Sequence, residues 1–428
     1  MCAFLALLAA CARLVEMASA APDYQRHAAP GVTIQALHVS QQYPSREYPA
    51  LGVMVQNAVR AQAKLSGVRV EVLAPRPYTL PVPGFPFGQL ARLPTQSQDH
   101  GYRVHRPHYV YLVPKRWLYP LVGPAFASSV RSYARQLVRP DVIHAHWAYP
   151  DGEGALALRD LFKVPLIVHA RGTLERVIAQ ESRRSRLLVQ TPLLAADAVI
   201  ANSQALRDDC LGLGVPAHKL HVIPNGVDTE LFTPHDKAQA KRELGLDAGR
   251  VLVLYCGNLR HVKGVDLLSD AIPEMMCLEP NLQFLFVGSG ELEPQLRSSL
   301  SRWVASRDVI FAGAQRQREV ARYMSAADLL VLPSRSEARS NVIPEALASG
   351  TPVAAAAVGG IPEVVRPEHG RLFSPESRAS LAQAVLELCR DRPQLARMGE
   401  AGRRFMLESD ASWGAHAEKT LELYRSLV

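Results

Sequence analysis

The chain has 428 residues, 48% of them hydrophobic and 21% charged, with a net charge of +8. That is ordinary for a soluble globular protein, and the length predicts two or more domains able to bury real cores. The mild basic excess suits anionic ligands or a lipid surface; with no recognition motif beside it, no nucleic-acid partner is expected. Six scattered cysteines (Cys2, Cys11, Cys210, Cys256, Cys277, Cys389) form no Cys-x-x-Cys pair, so neither zinc nor a disulfide framework is expected and the thiols are read as reduced.

In chain order, residues 1–30 read as an amino-terminal extension. The apolar run within it is about ten residues, too short for a membrane span. It ends near Ala-Ser-Ala but lacks the preceding basic residues of a secretory signal, so a loosely attached extension is the favoured reading over a cleaved signal. From residue 33 the pattern alternates. "TIQALHVS" is a strand, Val53 to Leu65 a helix and "VRVEVLAP" a strand, followed by "PDVIHAHW", "VPLIVHARG" and "ADAVIANS" between helical stretches. Continuous apolar runs separated by helices predict a parallel sheet covered on both faces.

"HVIPNGVDTELFTP" breaks this grammar with Pro224, Asn225, Gly226 and Pro234. The grammar then restarts with strands "VLVLYCG", "LQFLFVG", "VIFAG", "DLLVLPS" and "TPVAAAAV". The predicted organisation is a Rossmann-like α/β domain at 31–224, a linker at 225–235, a second such domain at 236–409 and a terminal helix at 410–428. Ligands of open parallel sheets sit beyond the carboxyl ends of the strands, so the candidate residues are those in strand-exit loops.

Several stretches stand out. In "SEARSNVIPEALASGTPV", Glu337 lies in a strand exit and Glu345 in the early turns of a helix that Ser340 or Asn341 can cap and Gly350 stops. A helix start attracts anions, whereas two ionised carboxylates accept hydrogen bonds from hydroxyls. A ligand with phosphate in its middle and hydroxyls at both ends satisfies both; the plain alternative is a dipole-supporting acid and a solvated one. In "YCGNLRHVKG", Gly257 permits close backbone approach, while Arg260 and Lys263 offer cations for phosphate or are solvated bases of a surface turn. Gly288 in "VGSGEL" marks another glycine-rich exit, and Gly52 precedes a helix in the first half, where it admits a diphosphate or simply makes a turn. His144 and His146 alternate along a strand without an evident third ligand, so no metal is expected, and His169 is read as a core histidine. Finally, residues 101–140 carry seven Lys or Arg, from Arg103 through Lys115 to Arg139, with no acid and with interleaved Tyr102, Tyr109, Trp117 and Phe126. That suits an anionic membrane surface or acceptor, or a solvated basic face.

Taken together, the Glu337/Glu345 pair with seven residues between, "GNLRHVKG" and "HVIPNGVDTELF" resemble glycosyltransferase family 4, the retaining transferases of GT-B fold, over nearly the whole chain from Ile34. "HAHWAYPDG" and "VHARGT" are similar to the branch building bacterial exopolysaccharides and cell-wall polymers. The resemblance implies two Rossmann-like domains facing across a cleft, with the last helix crossing back to the first domain on Trp413, Leu421 and Tyr424. It implies Glu337 on donor-sugar hydroxyls, Glu345 on the nucleotide ribose, Lys263 on the diphosphate, and backbone N–H donors from Arg339, Ser340, Asn341 and Val342. The family's arginine after the glycine of "GNL" is Asn258 here, with Arg260 as substitute; its His-Gly is Arg171-Gly172, with Arg171 the candidate at the donor sugar; its glycine after the first glutamate is Ala338.

The implied reaction moves a sugar from a UDP- or GDP-linked donor to a hydroxyl of a lipid-linked or glycan acceptor, without metal or other cofactor, in the cytoplasm or at the inner face of the plasma membrane. The alternatives are a nucleotide-sugar 2-epimerase of the same fold and a non-catalytic nucleotide-sugar-binding scaffold.

Overall fold

A computed structural model describes residues 33–46, 48–49, 51–79, 93–111 and 116–428; the amino-terminal extension with its signal-peptide question, and Lys115, lie outside these. The chain divides into two compact units. The first holds residues up to 201 with 209–221 and 417–428, and the second holds 202–208 and 222–416.

The first unit contains strands β1 (Ile34–Val39), β2 (Val68–Leu73), β3 (Arg76–Tyr78), β4 (Gln96–Asp99), β5 (Tyr102–His105), β6 (His108–Val110), β7 (Val142–Ala145), β8 (Leu166–Ala170), β9 (Ala198–Ala201) and β10 (Leu220–Val222). Eight form a sheet in the order β10-β9-β8-β7-β1-β2-β5-β4, and β3 and β6 pair separately. The predicted strands all appear. The antiparallel β4–β5 hairpin at the sheet edge was not predicted, because "QSQD" lacks any apolar alternation. Helix α1 (Val53–Ala63) starts at Gly52.

The second unit adds β11 (Val251–Cys256), β12 (Leu282–Val287), β13 (Val309–Gly313), β14 (Leu329–Leu332), β15 (Val353–Ala356) and β16 (Gly370–Phe373). These form one sheet in the order β13-β12-β11-β14-β15-β16, parallel throughout. Side chains alternate between the faces of a strand. Accordingly Val251, Val253 and Tyr255 of β11 join one core, while Leu252, Leu254 and Cys256 join the other. A strand buried on both faces reads as an unbroken apolar run, which is why this sheet was legible. The helices that position the site are α2 (Val265–Leu278) and α3 (Val342–Ala348).

Helix α4 (Trp413–Leu427) closes the chain. In the first unit, Leu421 and Tyr424 are buried, and the Tyr424 hydroxyl lies 2.7 Å from His144 Nδ1. Trp413 belongs to the second unit, where its backbone packs on Gly226. The aromatic part of the 101–140 reading needs correction: Tyr102, Tyr109 and Phe126 are core residues. Arg103 pairs with Glu71 at 2.9 Å and Arg106 bonds Ser97 Oγ, so these bases serve the fold. Cys210, Cys256, Cys277 and Cys389 are free thiols. Among the described residues, no helix is long and apolar enough to cross a membrane.

Candidate functional site

The loops leaving β11, β12 and β14 meet in the second unit. The β11 exit donates from Gly257 N to Val287 O at 2.9 Å and from Leu259 N to Ser289 O at 3.0 Å. A Cβ on Gly288 would lie 1.9 Å from Gly257 O, so these exits touch main chain to main chain. The β11 exit ends in a short 3-10 turn, His261–Lys263, and then Gly264 at φ +63. A Cβ on Gly264 would lie 1.8 Å from Pro333 O, at the exit of β14. Gly264→Ala is therefore expected to destabilise the fold by at least about 1–3 kcal/mol, from left-handed backbone strain plus this overlap. Equilibrium denaturation reads the loss; a wild-type midpoint would show that the two turns separate freely.

That packing brings the motif residues together. Lys263 Nζ lies 2.5 Å from Glu337 Oε2, with side chains 28% and 12% exposed. Ser334 Oγ donates to the same oxygen at 3.3 Å. The Lys263 side chain is thus directed at the β14 exit loop. Arg260 and Asn258 are exposed on the same turn, and the Asn258 carbonyl accepts from Tyr255 Oη at 2.7 Å.

Glu345 is the fourth residue of α3, whose seven residues make about two turns. Gly350 follows at φ +72 and stops the helix. Neither predicted cap forms in the expected way. Asn341 occupies the cap position in helical geometry without a side-chain cap bond, and its Oδ1 accepts from Asn225 Nδ2 at 3.0 Å instead. Ser340 is buried. The Glu345 residue keeps some surface, but the protein packed around its carboxyl desolvates it and pushes its pKa up to about 8. Burial holds the Arg339 pKa below its usual value, against the opposing pull of Glu363. The Ala338 carbonyl accepts from Ser203 Oγ at 2.8 Å and from Gly360 N at 3.0 Å, which fixes the loop between the two acids.

In the first unit, Gly52 sits at φ +73 against the Gln42 carbonyl, at the start of α1. Arg171 is 6% exposed, and its Nη2 lies 2.6 Å from His146 Nδ1. Its guanidinium also donates from Nε to the His146 carbonyl at 3.2 Å, so it is directed at that histidine within the first unit. Burial lowers its pKa to about 9 despite the acids Asp151 and Glu175.

The histidine reading also changes. His144 and His146 do have a third neighbour, His38, which pairing of β1 with β7 places opposite His144. Ligand atoms of the three lie within 4.8 Å of one another. Arginine only donates, so His146 Nδ1 accepts and its proton resides on Nε2, 2.9 Å from His38 Nδ1. An Nε2 carrying a proton has no lone pair for an ion, and the arginine charge opposes one. Desolvation first, then neighbouring His144 and Arg171, holds His146 well below its usual pKa, so it is neutral. His38 escaped the sequence reading because the register that brings it here is not written in local spacing.

Two family models divide the chain. "Glycosyltransferase Family 4" matches residues 51–231 and "Glycosyl transferases group 1" matches 236–405. The chain is 34% identical over 323 residues to a D-inositol 3-phosphate glycosyltransferase of Nocardia farcinica, covering 71% of each chain. It is 29% identical over 362 residues to TuaC of Bacillus subtilis, a glycosyltransferase assigned to teichuronic acid biosynthesis, covering 82% of this chain and 88% of that one. In fold it matches Anabaena Alr3699/HepE, solved with UDP-glucose, at a TM-score of 0.70 and 22% identity over 92% of this chain and all of the other. The two α/β units and these relatives define a glycosyltransferase of GT-B fold. More narrowly, the chain belongs to glycosyltransferase family 4.

Proposed function

We propose that this glycosyltransferase takes its sugar from a nucleotide diphosphate and delivers it, with retained anomeric configuration, to an acceptor hydroxyl in bacterial polysaccharide or glycolipid synthesis. The observation carrying this reading is the convergence of Lys263 and Glu337, 2.5 Å apart, beside the α3 start that bears Glu345. A diphosphate entering there exchanges the Glu337 carboxylate for phosphate as the partner of Lys263, and leaves Glu337 free to accept from sugar hydroxyls. Glu345 accepts from ribose hydroxyls. Main-chain N–H groups from Arg339 to Val342 face the sugar and phosphate, and Gly257, Asn258 and Gly288 supply the backbone surface.

As the glycosidic bond to phosphate breaks, charge grows on the leaving diphosphate. Lys263 and Arg260 stabilise it electrostatically, a role that asks nothing of a divalent metal. No side chain here is assigned as a covalent nucleophile. The departing phosphate takes the acceptor's proton as the acceptor attacks the same face. The UDP-glucose complex of the Anabaena protein supports trying uridine donors first.

A thermal-shift screen of UDP- and GDP-sugars tests the donor. The matching donor at about 100 Kd adds about 2.7 kcal/mol of stability and raises Tm by a few degrees. NMR of the transferred product then reads the anomeric configuration. An inverted product, or no response to any nucleotide sugar, overturns this reading. Donor turnover without acceptor would instead indicate an epimerase, and binding without turnover a scaffold.

A further inference from the structure

We propose that Arg335 is a positioning residue for the donor site, holding the Lys263 turn and the Glu337 loop in one fixed relation. The inference rests on the donor reading above and extends it to a residue that reading does not use. The Arg335 side chain is 17% exposed and reaches three separate segments of the second unit. Its Nη1 and Nη2 fork onto the two oxygens of Asp266, at 2.6 and 2.9 Å, in the first turn of α2. Nη1 also donates to the His261 carbonyl at 2.6 Å, and the Arg335 backbone N donates to Val262 O at 3.0 Å. Nε pairs with Glu376 at 2.8 Å, in the loop that follows β16. Glu376 itself stands at φ +57, a conformation a glutamate adopts only when its surroundings impose it.

The bonds to His261 and Val262 grip the turn that ends in Lys263, and Arg335 lies two residues before Glu337 in its own loop. One planar fork thus sets the register between a cation and a carboxylate that must each meet a different part of one ligand. Lysine carries the same charge but cannot make the bidentate contact and reach a carbonyl and a second acid as well. Misplacement on the order of 1 Å in such a pair costs about 100-fold in rate.

The test is a double-mutant cycle on the full chain. Arg335→Met is expected to lower kcat/KM for the nucleotide-sugar donor by about 10- to 100-fold with acceptor KM unchanged. Lys263→Met is expected to cost much less in the Arg335→Met background than alone, because a misplaced lysine has little left to lose. Arg335→Lys is expected to recover only part of the loss, and Asp266→Asn to weaken donor kinetics in the same direction. Should Arg335→Met fail to fold, the cycle is run with Arg335→Lys and Asp266→Asn. Unchanged donor kinetics in folded Arg335 variants, or strict additivity with Lys263→Met, overturns the proposal while leaving the donor reading intact. Indifference of the donor kinetics to Lys263→Met alone overturns the donor reading itself.

Discussion

Lys263→Met is expected to lower kcat/KM for the donor by about 100- to 1,000-fold, or about 3–4 kcal/mol of transition-state stabilisation. The magnitude follows from where the charge sits. Lys263 Nζ is held 2.5 Å from Glu337 in a partly buried loop, which on the proposed reading is where phosphate charge develops. A preorganised cation there needs no rearrangement at the moment of bond breaking. Removing it also strands the Glu337 carboxylate, which is only 12% exposed. An unpaired group of that kind costs about 1–3 kcal/mol. Part of the kinetic loss is therefore accompanied by lower stability, and pairing the change with Glu337→Gln separates the two. The double variant should regain the stability and not the rate. Initial rates at saturating acceptor, alongside melting curves, read both quantities. A folded Lys263→Met enzyme with near-native donor kinetics would falsify the assignment of Lys263 to the diphosphate.

The contribution of Glu345 to stability is expected to fall as pH rises from about 4.5 to about 8, and Glu345→Gln to remove that part of the pH dependence. The folded pKa of Glu345 is raised from the ordinary glutamate value of 4.5 to about 8 by desolvation. Between those values the folded protein holds a proton that the unfolded chain releases. Stability from this group is therefore fully present below the unfolded pKa and lost as pH climbs through the folded one. A full shift of that size is worth about 4–5 kcal/mol; residual exposure of Glu345 discounts it to a few kcal/mol. Asp151, raised to about 8, and Glu175, raised to about 7, slope the same way, so the wild-type curve minus the Glu345→Gln curve isolates Glu345. A ligand hydroxyl donating to the Glu345 carboxylate favours its ionised form. Nucleoside diphosphate binding should then release a proton and tighten as pH approaches 8. Parallel wild-type and Glu345→Gln stability curves would remove both expectations.

The strands of the second sheet were legible because burial on both faces leaves a plain apolar run, as in "VLVLYC" and "LQFLFV". The small β16, four residues behind a polar turn, gave no such signal. Of the site, the acids and the lysine could be found by their spacing in two short motifs. Arg335 could not: its main partner Asp266 lies 69 positions away, and the pairing exists only because β11 and β14 are neighbours. The tilt of Asn341 toward Asn225 rather than onto its own helix is likewise a long-range choice, made 116 positions away.

The contact of Gly288 with the Gly257 carbonyl leaves no room for even a methyl group between two strand exits. The surface there is made of main-chain atoms, and point mutation cannot redecorate it. Directed evolution toward a new sugar should accordingly accumulate its changes in the 339–342 segment and around Asn258, where side chains exist to be exchanged, and leave this glycine seam untouched.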